Sequence, residues 1–503
     1  HGWLRTVSLN SPVAAAHQMA SSPTAAELAA ADAERREIVA RYDAGPNRAG
    51  REQDEAPDPE YSPNQLDHFG FYHRSGIPAE VLAAEDRIKQ ADGKREAKWR
   101  KMLAPSNQAG AGAASRFSRW HKVCSKNAAG ELTFSLKFAR RVYKGIPEKY
   151  RYPVWYELLC IDDARKQSPV AYSEVLQFAR LRSPDVRQID LDVNRTYRNT
   201  DFYRVRYNPR QRVLFNVLVA YSMYNIDVGY CQGMSQLAAF LLLYFNDEEE
   251  TFFALSQLFT DKRHAMHGLF IPSFPKLYRY IELYQQCLKK FLSRVDKHVH
   301  VKHAVPVTAY TVKWFMQVFL DCVPFSLAIR IWDVFMAIGE PAVVGMAFNL
   351  MRLHSRRILR LRSDEDLLHY FGQVLPSDYS FSEDEVLDGL RDCLADMRAA
   401  SLLPGLSREA ELPRTPFSFE PGHRLDDSVV EQRRASQNNV ESMMRRSLQR
   451  RLSPSAASAA SANGGNDLVV STGSNGVATG DQSETASAQQ PVATDSTVVV
   501  TAF

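Results

Sequence analysis

The stretch LAAFLLLYFNDEEETFF, residues 237–253, determines the fold class. Its apolar residues fall on one helical face, because they recur at three- and four-residue steps, at positions 237, 238, 241, 242 and 245. Asp247 and the acidic residues after it suit the positive amino end of a second helix. The apolar run 237–245 is far too short to cross a bilayer, so the pattern predicts buried helices and no transmembrane segment.

Apolar residues continue to recur at helical spacing on both sides of this stretch, from about residue 116 to 400. Two further stripes have helical spacing: Val213, Leu214, Val217, Leu218 and Tyr221, and then Leu277, Tyr280, Ile281, Tyr284, Leu288 and Phe291. Proline and glycine separate these segments, and no convincing alternating strand pattern occurs. We therefore predict an all-α domain of many helices.

Composition divides the chain into three parts. Residues 1–115 are polar and alanine-rich, with one short helix predicted around 25–42 and another over 78–102 that is interrupted near Gly93. Residues 116–405 form the predicted helical domain. Residues 406–503 are predicted to be a disordered, low-complexity tail, because Ser, Ala, Gly and Thr dominate and too little apolar surface is present to offset ordering entropy.

The bulk composition excludes several classes of protein. The 503 residues are 45% hydrophobic and 24% charged, which is normal for a soluble globular protein, and the net charge of +4 predicts no nucleic-acid partner. Six scattered cysteines form no C-x-x-C pair, which fits a reducing compartment and no metal site. No basic segment followed by an apolar run is present near residue 1, so we expect a cytoplasmic location.

Three motifs follow one another along the helical region. They are Gly145-Ile146-Pro147 with Arg151 and Trp155, then IDLDVNRT at 189–196, and then GYCQGM at 229–234. In this order they resemble the three blocks of TBC-domain GTPase-activating proteins, and RIWD at 330–333 resembles that family as well. Arg41-Tyr42-Asp43, GYCQGMS at 229–235 and HAMHG at 264–268 are similar to the RN-tre subgroup.

This resemblance implies a multi-helix TBC fold and an activator of a Rab-family small GTPase in membrane trafficking. The activator would supply catalytic residues in trans and would not itself hydrolyse nucleotide. It would need no cofactor of its own, since the partner GTPase carries GTP and Mg²⁺. Arg195 would be the arginine finger, and Gln232 would replace the GTPase's own glutamine. Recruitment to endosomal or Golgi membranes is expected.

The chemistry of these residue types agrees with that assignment. Phosphoryl transfer to water requires neutralisation of charge on the phosphate oxygens and a water held in line. A guanidinium contacts two phosphate oxygens, and a carboxamide donates and accepts at once. Asp192 lies one helical turn before Arg195 and is placed to hold it. Gly233, with Gly229, permits a close backbone approach beside Gln232.

Some assignments remain open at this stage. Tyr230 and Arg151 are assigned supporting roles, although Arg151 is equally suited to a core ion pair. Trp155 and Trp332 are predicted to pack in the core. The alternative function is a catalytically inactive TBC scaffold that binds GTPases or effectors. A cysteine hydrolase centred on Cys231 is a remote third hypothesis, because nothing marks a base for it.

The segment after Arg195 departs from many TBC sequences, because Tyr197 is followed by Arg198 where those have proline. Six arginines fall between residues 195 and 212, and they are either a basic rim for an acidic GTPase surface or a solvated helix face. His298, His300 and His303 are predicted to be a solvated basic patch and not a metal site.

Two short motifs suggest additional partners. Pro413-Arg414-Thr415-Pro416 is a minimal P-x-x-P, which predicts an SH3 protein as a partner. Thr501-Ala502-Phe503 has the hydroxyl-x-apolar carboxylate form that PDZ grooves bind by strand addition.

Overall fold

The computed structural model describes residues 25–46, 62–104, 116–128, 130–405 and 407–413. Most of the predicted tail lies outside these residues, including the PDZ motif at 501–503 and all but Pro413 of the SH3 motif.

Within the described residues the fold consists almost entirely of helices, and the predicted all-α class is confirmed. The α-helices are α1 Ala25–Ala44, α2 Ala79–Leu103, α3 Leu136–Tyr143, α4 Glu148–Leu158, α5 Ile161–Gln167, α6 Tyr172–Arg182, α7 Val186–Arg195, α8 Pro209–Tyr224, α9 Met234–Phe245, α10 Glu248–Thr260, α11 Pro275–Phe291, α12 Ser293–Asp296, α13 Thr308–Met316, α14 Phe325–Ile338, α15 Glu340–Leu353, α16 Ser355–Ile358, α17 Asp364–His369 and α18 Glu383–Ala399.

Shorter elements connect these helices. The 3₁₀ turns are Pro63–Gln65, Trp120–Lys122, Met266–Leu269, Leu375–Ser377 and Glu409–Glu411, and the π-helical turns are Lys297–Lys302 and Tyr370–Val374. One antiparallel hairpin pairs β1, Cys124–Lys126, with β2, Leu132–Phe134. The sequence did not indicate this hairpin, because three-residue strands are too short to show alternation.

Local sequence explains where the central helices begin. Asn208 caps α8 by accepting a hydrogen bond from the Gln211 backbone N–H at 2.7 Å. Asp247 caps α10 in the same way, accepting from the Glu250 backbone N–H at 2.8 Å, which confirms the helix start expected there. The prediction of an interruption near Gly93 is wrong, since α2 continues through this residue. An isolated glycine only weakens a helix, and neighbouring strong helix formers outweigh it here.

The core has two groups of helices. Helix α8 packs against α6, α7, α9 and α10, whereas α15 packs against α11, α13, α14 and α18. Trp155 and Trp332 are both fully buried and lie 6.4 Å apart between ring centroids, which confirms their predicted core position. They join α4 to α14, with Phe240 of α9 against both rings.

The helices N-terminal to residue 116 share this core. Tyr42 of α1 stacks on Phe215 of α8 at 4.0 Å, and Trp99 of α2 packs edge-on against Phe138 of α3 at 5.9 Å. Both side chains are almost completely buried. Residues 25–46 and 62–104 therefore contribute to the same packed body as the predicted domain, and α1 contacts α7 directly.

Candidate functional site

Arg195 is the last residue of α7 and faces solvent. Val186, Ile189 and Val193 anchor α7 because they are buried on the face that packs against α8. The Arg195 side chain lies off this face and remains 58% exposed. Its Nη2 lies 2.5 Å from Oδ1 of Asp192, one turn earlier, so the contact expected from the sequence spacing is present.

Asp192 is a buried carboxylate that connects several groups. Besides Arg195, it accepts hydrogen bonds from the Tyr230 hydroxyl at 2.5 Å and from Gln188 Nε2 at 3.2 Å. Burial raises the pKa of Asp192, whereas the hydrogen bond from Tyr230 and the charge of Arg195 lower it. A buried carboxylate with three donors holds its partners in fixed orientations.

The glutamine loop, residues 229–233, lies between α8 and α9. Gly229 and Gly233 have φ values of 63° and 99°, the left-handed region where a side chain is strained. Between them, Tyr230 is fully buried, and its backbone N–H donates to Asp185 Oδ2 at 3.2 Å. Gln232 is half-buried at the tip of the loop.

The structure therefore joins the arginine and glutamine segments through one carboxylate. Arg195 is bound to Oδ1 of Asp192, and Tyr230, two residues before Gln232, is bound to Oδ2. The arrangement presents an exposed guanidinium and a carboxamide from two segments fixed to each other. These are the groups that an arginine finger and a water-positioning amide need.

Two further contacts beside this loop were not anticipated from the sequence. The Thr196 hydroxyl donates to the Asp192 carbonyl at 2.6 Å and lies 2.9 Å from Ser235 Oγ, which links α7 to α9 a second time. Gln317 lies behind Gly233 and is buried, and its amide nitrogen donates to Gln236. The two residues of each pair lie 39 and 81 positions apart in the sequence, so the spacing of neighbouring residues could not predict these contacts.

Cys231 is buried within the glutamine loop. Burial and the negative charges of Asp192 and Asp185 raise the pKa of its thiol to about 12. The thiol is therefore protonated near neutral pH, whereas a cysteine nucleophile reacts as the thiolate. This environment opposes the cysteine-hydrolase hypothesis.

Arg151 lies in a different network. Its Nε donates to Asp333 Oδ1 at 3.1 Å, and its Nη2 donates to the Ile146 carbonyl at 2.8 Å. The Trp155 indole N–H donates to the same Asp333 oxygen at 3.0 Å. All these groups are buried, so the first motif and the RIWD motif form a core ion pair, the second of the two roles considered for Arg151.

The basic stretch after the finger divides into two kinds of side chain. Arg198 and Arg212 are exposed, and Arg198 Nη1 donates to Asn194 Oδ1 at 2.6 Å. Arg206 is instead paired with Asp190 at 3.3 Å, and Arg210 donates to the Leu242 carbonyl at 3.3 Å. Arg206 and Arg210 therefore contact other residues of this protein, and the stretch does not present a continuous basic surface.

The histidine clusters have structural partners. His264 is fully buried, and its Nε2 hydrogen-bonds the Phe335 carbonyl at 3.1 Å. His300 lies against Asp296 and Tyr310, and His298 against the Leu361 carbonyl, so the prediction of a solvated patch is wrong. Across the described part of the chain, no group of three or more potential ligands could hold a metal ion.

Comparison with known proteins agrees with the order of the motifs. Residues 148–359 match the model of the Rab-GTPase-TBC domain, and this range contains α7, the glutamine loop and RIWD. This part of the chain is therefore similar to TBC domains. In the structure it resembles the crystal structure of the Chlamydomonas flagellar RabGAP TBC domain, with a TM-score of 0.50 and 19% identity over 64% of this chain and 98% of that one.

Two curated relatives extend the comparison. Growth hormone-regulated TBC protein 1 of Xenopus laevis is 29% identical over 268 residues, 52% of this chain and 76% of that protein. Human ecotropic viral integration site 5 protein homolog is 32% identical over 254 residues, 49% of this chain but only 29% of that protein.

In the described residues, no helix is both long and apolar enough to span a membrane.

Proposed function

We propose that this protein accelerates GTP hydrolysis on a Rab-family small GTPase, using Arg195 and Gln232 together. The observation that carries the proposal is the shared carboxylate of Asp192. It holds an exposed arginine on one side and the loop of Gln232 on the other. The match of residues 148–359 to the Rab-GTPase-TBC domain supports the same activity.

Each residue has a distinct task in this proposal. Arg195 either breaks its ion pair with Asp192 or keeps it with one nitrogen, and its guanidinium contacts the phosphate oxygens of the partner's GTP. Gln232 donates to the phosphate and accepts from the attacking water, the task of the GTPase's own glutamine. GTP and Mg²⁺ belong to the partner, and the activator adds no cofactor.

The electrostatics of the free protein favour this mechanism. Asp192 neutralises Arg195 before binding, so the exposed cation is already oriented and loses little side-chain freedom on docking. A finger ordered in advance contributes more to the transition state than a mobile one. Tyr230 and Gly233 serve as positioning residues, Tyr230 through Asp192 and Gly233 through the backbone of the loop.

The finer assignments belong to the same proposal. Arg41-Tyr42-Asp43 and HAMHG at 264–268 support placement in the RN-tre subgroup. Action in vesicle trafficking, in the cytoplasm and at endosomal or Golgi membranes, follows from the proposed Rab partner. The SH3 and PDZ motifs lie outside the structural argument, and each is tested by binding of its peptide.

A single-turnover hydrolysis assay against a panel of GTP-loaded Rab proteins tests the activity. Wild-type protein should accelerate hydrolysis on at least one member, and Arg195→Ala should lose roughly 10³- to 10⁵-fold of that acceleration. Arg187→Ala is the matched control, because Arg187 is an exposed arginine on the same helix. Binding to a GTP-loaded Rab without any acceleration would instead support the inactive scaffold.

A further inference from the structure

The loop that follows the arginine finger, residues 196–201, has an unusual backbone. Tyr197 has a φ of 46°, in the left-handed region that tyrosine rarely adopts, although its ring is buried. Such a conformation persists only when surrounding contacts enforce it. This is also the loop where Arg198 replaces the proline of many TBC sequences.

A small hairpin from the N-terminal region supplies those contacts. We name residues 66–72 the brace, since Leu66 and Tyr72 pair across its ends. Two backbone hydrogen bonds join the brace to the loop. The Tyr72 N–H donates to the Asn199 carbonyl at 2.7 Å, and the Asp201 N–H donates to the Gly70 carbonyl at 2.9 Å.

Side chains reinforce this pairing. The Phe71 ring lies edge-on to Tyr197 at 6.1 Å and to Phe325 at 4.8 Å. Gly70 has a φ of 81°, and a β-carbon there would lie 2.8 Å from the Phe202 ring. A side chain at position 70 would therefore have to displace the ring of Phe202, the residue that follows the loop.

The brace is itself held rigidly. Asp67 Oδ1 accepts hydrogen bonds from the backbone N–H groups of Phe69 and Phe71, at 3.0 and 2.8 Å. The His68 backbone N–H donates to Glu85 of α2 at 2.7 Å, and Glu85 is buried. A movement of the loop would therefore have to displace part of α2 or break these bonds.

We infer that the brace, residues 66–72, is a positioning element for Arg195 that holds the loop after the finger in its strained conformation. The inference rests on the proposed function, and it assigns a catalytic consequence to residues N-terminal to the matched range 148–359. The brace acts on Arg195 through residues 196–201.

Two glycine variants separate positioning from general stability. Gly70→Ala forces a contact with Phe202, whereas Gly76→Ala is the matched control. Gly76 has a similar φ of 88° with nothing within 4 Å of a β-carbon, so both variants carry the same backbone penalty. In full-length protein, Gly70→Ala should lower kcat for Rab GTP hydrolysis roughly 10- to 100-fold with KM changed less than about twofold. Gly76→Ala should retain the wild-type kcat.

Amide hydrogen exchange over residues 196–201 gives a readout independent of activity. Exchange there should rise in Gly70→Ala and remain at the wild-type level in Gly76→Ala. Equal kcat values for the two variants, or equal exchange, would overturn the role of the brace. Failure of the proposed function has a different signature, because wild type would then not accelerate hydrolysis, or Arg195→Ala would accelerate it as well as wild type.

A second pair serves if Gly70→Ala does not fold. Phe69 and Phe71 both contact Phe325, at 5.1 and 4.8 Å, but of the two it is Phe71 that lies against Tyr197. Phe71→Ala should therefore lower kcat more than Phe69→Ala, at comparable loss of core packing. A larger kcat loss in Phe69→Ala would overturn the inference.

Discussion

Tyr230→Phe isolates the link between the glutamine loop and the arginine finger. The substitution removes one hydroxyl, whose oxygen lies 2.5 Å from Asp192 Oδ2, and leaves the buried ring in place. A hydrogen bond to a charged group contributes about 1.5–3 kcal/mol to stability. Complete burial of both partners favours the upper part of that range, so we expect the free energy of unfolding to fall by about 2–3 kcal/mol.

The same loss should appear in catalysis. Without the Tyr230 hydroxyl, Asp192 keeps Arg195 and Gln188 on Oδ1 but loses the hydrogen bond that fixes Oδ2, so the orientation of Arg195 is held less firmly. Since about 1.4 kcal/mol corresponds to a factor of ten in rate, a loss of the full 2–3 kcal/mol in the transition state would lower the stimulated kcat by about 30- to 140-fold. Removal of the Tyr230 hydrogen bond also raises the pKa of Asp192 further, because that bond lowers it in the wild type. Acid loss of activity should therefore begin at a higher pH in the variant, as the carboxylate that orients Arg195 takes up a proton.

Urea unfolding and single-turnover hydrolysis measure these two effects. Tyr284→Phe is the control, because it removes a buried tyrosine hydroxyl 3.0 Å from an uncharged partner, Tyr310. It should cost about 0.5–1.5 kcal/mol in unfolding and leave kcat unchanged. If Tyr230→Phe loses stability but keeps the wild-type kcat and pH profile, the reasoning that Asp192 couples the two segments is refuted.

Further outcomes follow from the buried groups. Cys231→Ser should leave stimulated hydrolysis nearly unchanged, since the thiol is protonated; inactivation of a folded variant would restore the nucleophile hypothesis. Burial lowers the pKa of His264 from 6.5 to about 3, so the unfolded chain takes up a proton at this residue before the folded protein does. The free energy of unfolding should therefore fall by about 2 kcal/mol from this residue as the pH is lowered from 7 to 5. In urea unfolding of His264→Gln, the free energy of unfolding should fall less between pH 7 and pH 5 than it does in wild type. An equal fall in the two proteins would contradict this prediction. Truncation after residue 405 should cost about 3–5 kcal/mol relative to truncation after 413, because loss of Glu411 leaves the two buried cations Lys276 and Arg279 with Glu340 as their shared partner; equal melting temperatures would show that Glu411 is dispensable.

The sequence predicted what local patterns encode. Helical spacing and the Asp247 cap identified the central helices, and the i to i+3 spacing of Asp192 and Arg195 identified their contact. The hydroxyl of Tyr230 was not assigned to Asp192, because 38 residues separate them and only the packing of α7 against α8 and α9 brings them together.

The contribution of the N-terminal region was also not predictable from local patterns. The few apolar residues of α1 predict a helix that either packs weakly or docks on a larger body, and they do not say which. In the structure α1 docks, since Tyr42 enters the core and donates to Asp190 of α7 at 2.9 Å. A single aromatic residue in a polar helix produces no periodicity, so its burial depends on a groove that other helices form.

The division of labour between Arg195 and Gln232 is tested most directly on the partner's side. Single-turnover GTP hydrolysis is measured on a responsive Rab and on the same Rab with its switch glutamine replaced by alanine. Wild-type activator should stimulate both, because Gln232 takes over the task of the missing glutamine, and Gln232→Ala should stimulate neither appreciably. Loss of all stimulation on the altered Rab, together with normal stimulation by Gln232→Ala, would contradict the two-residue mechanism and make Gln232 a turn residue.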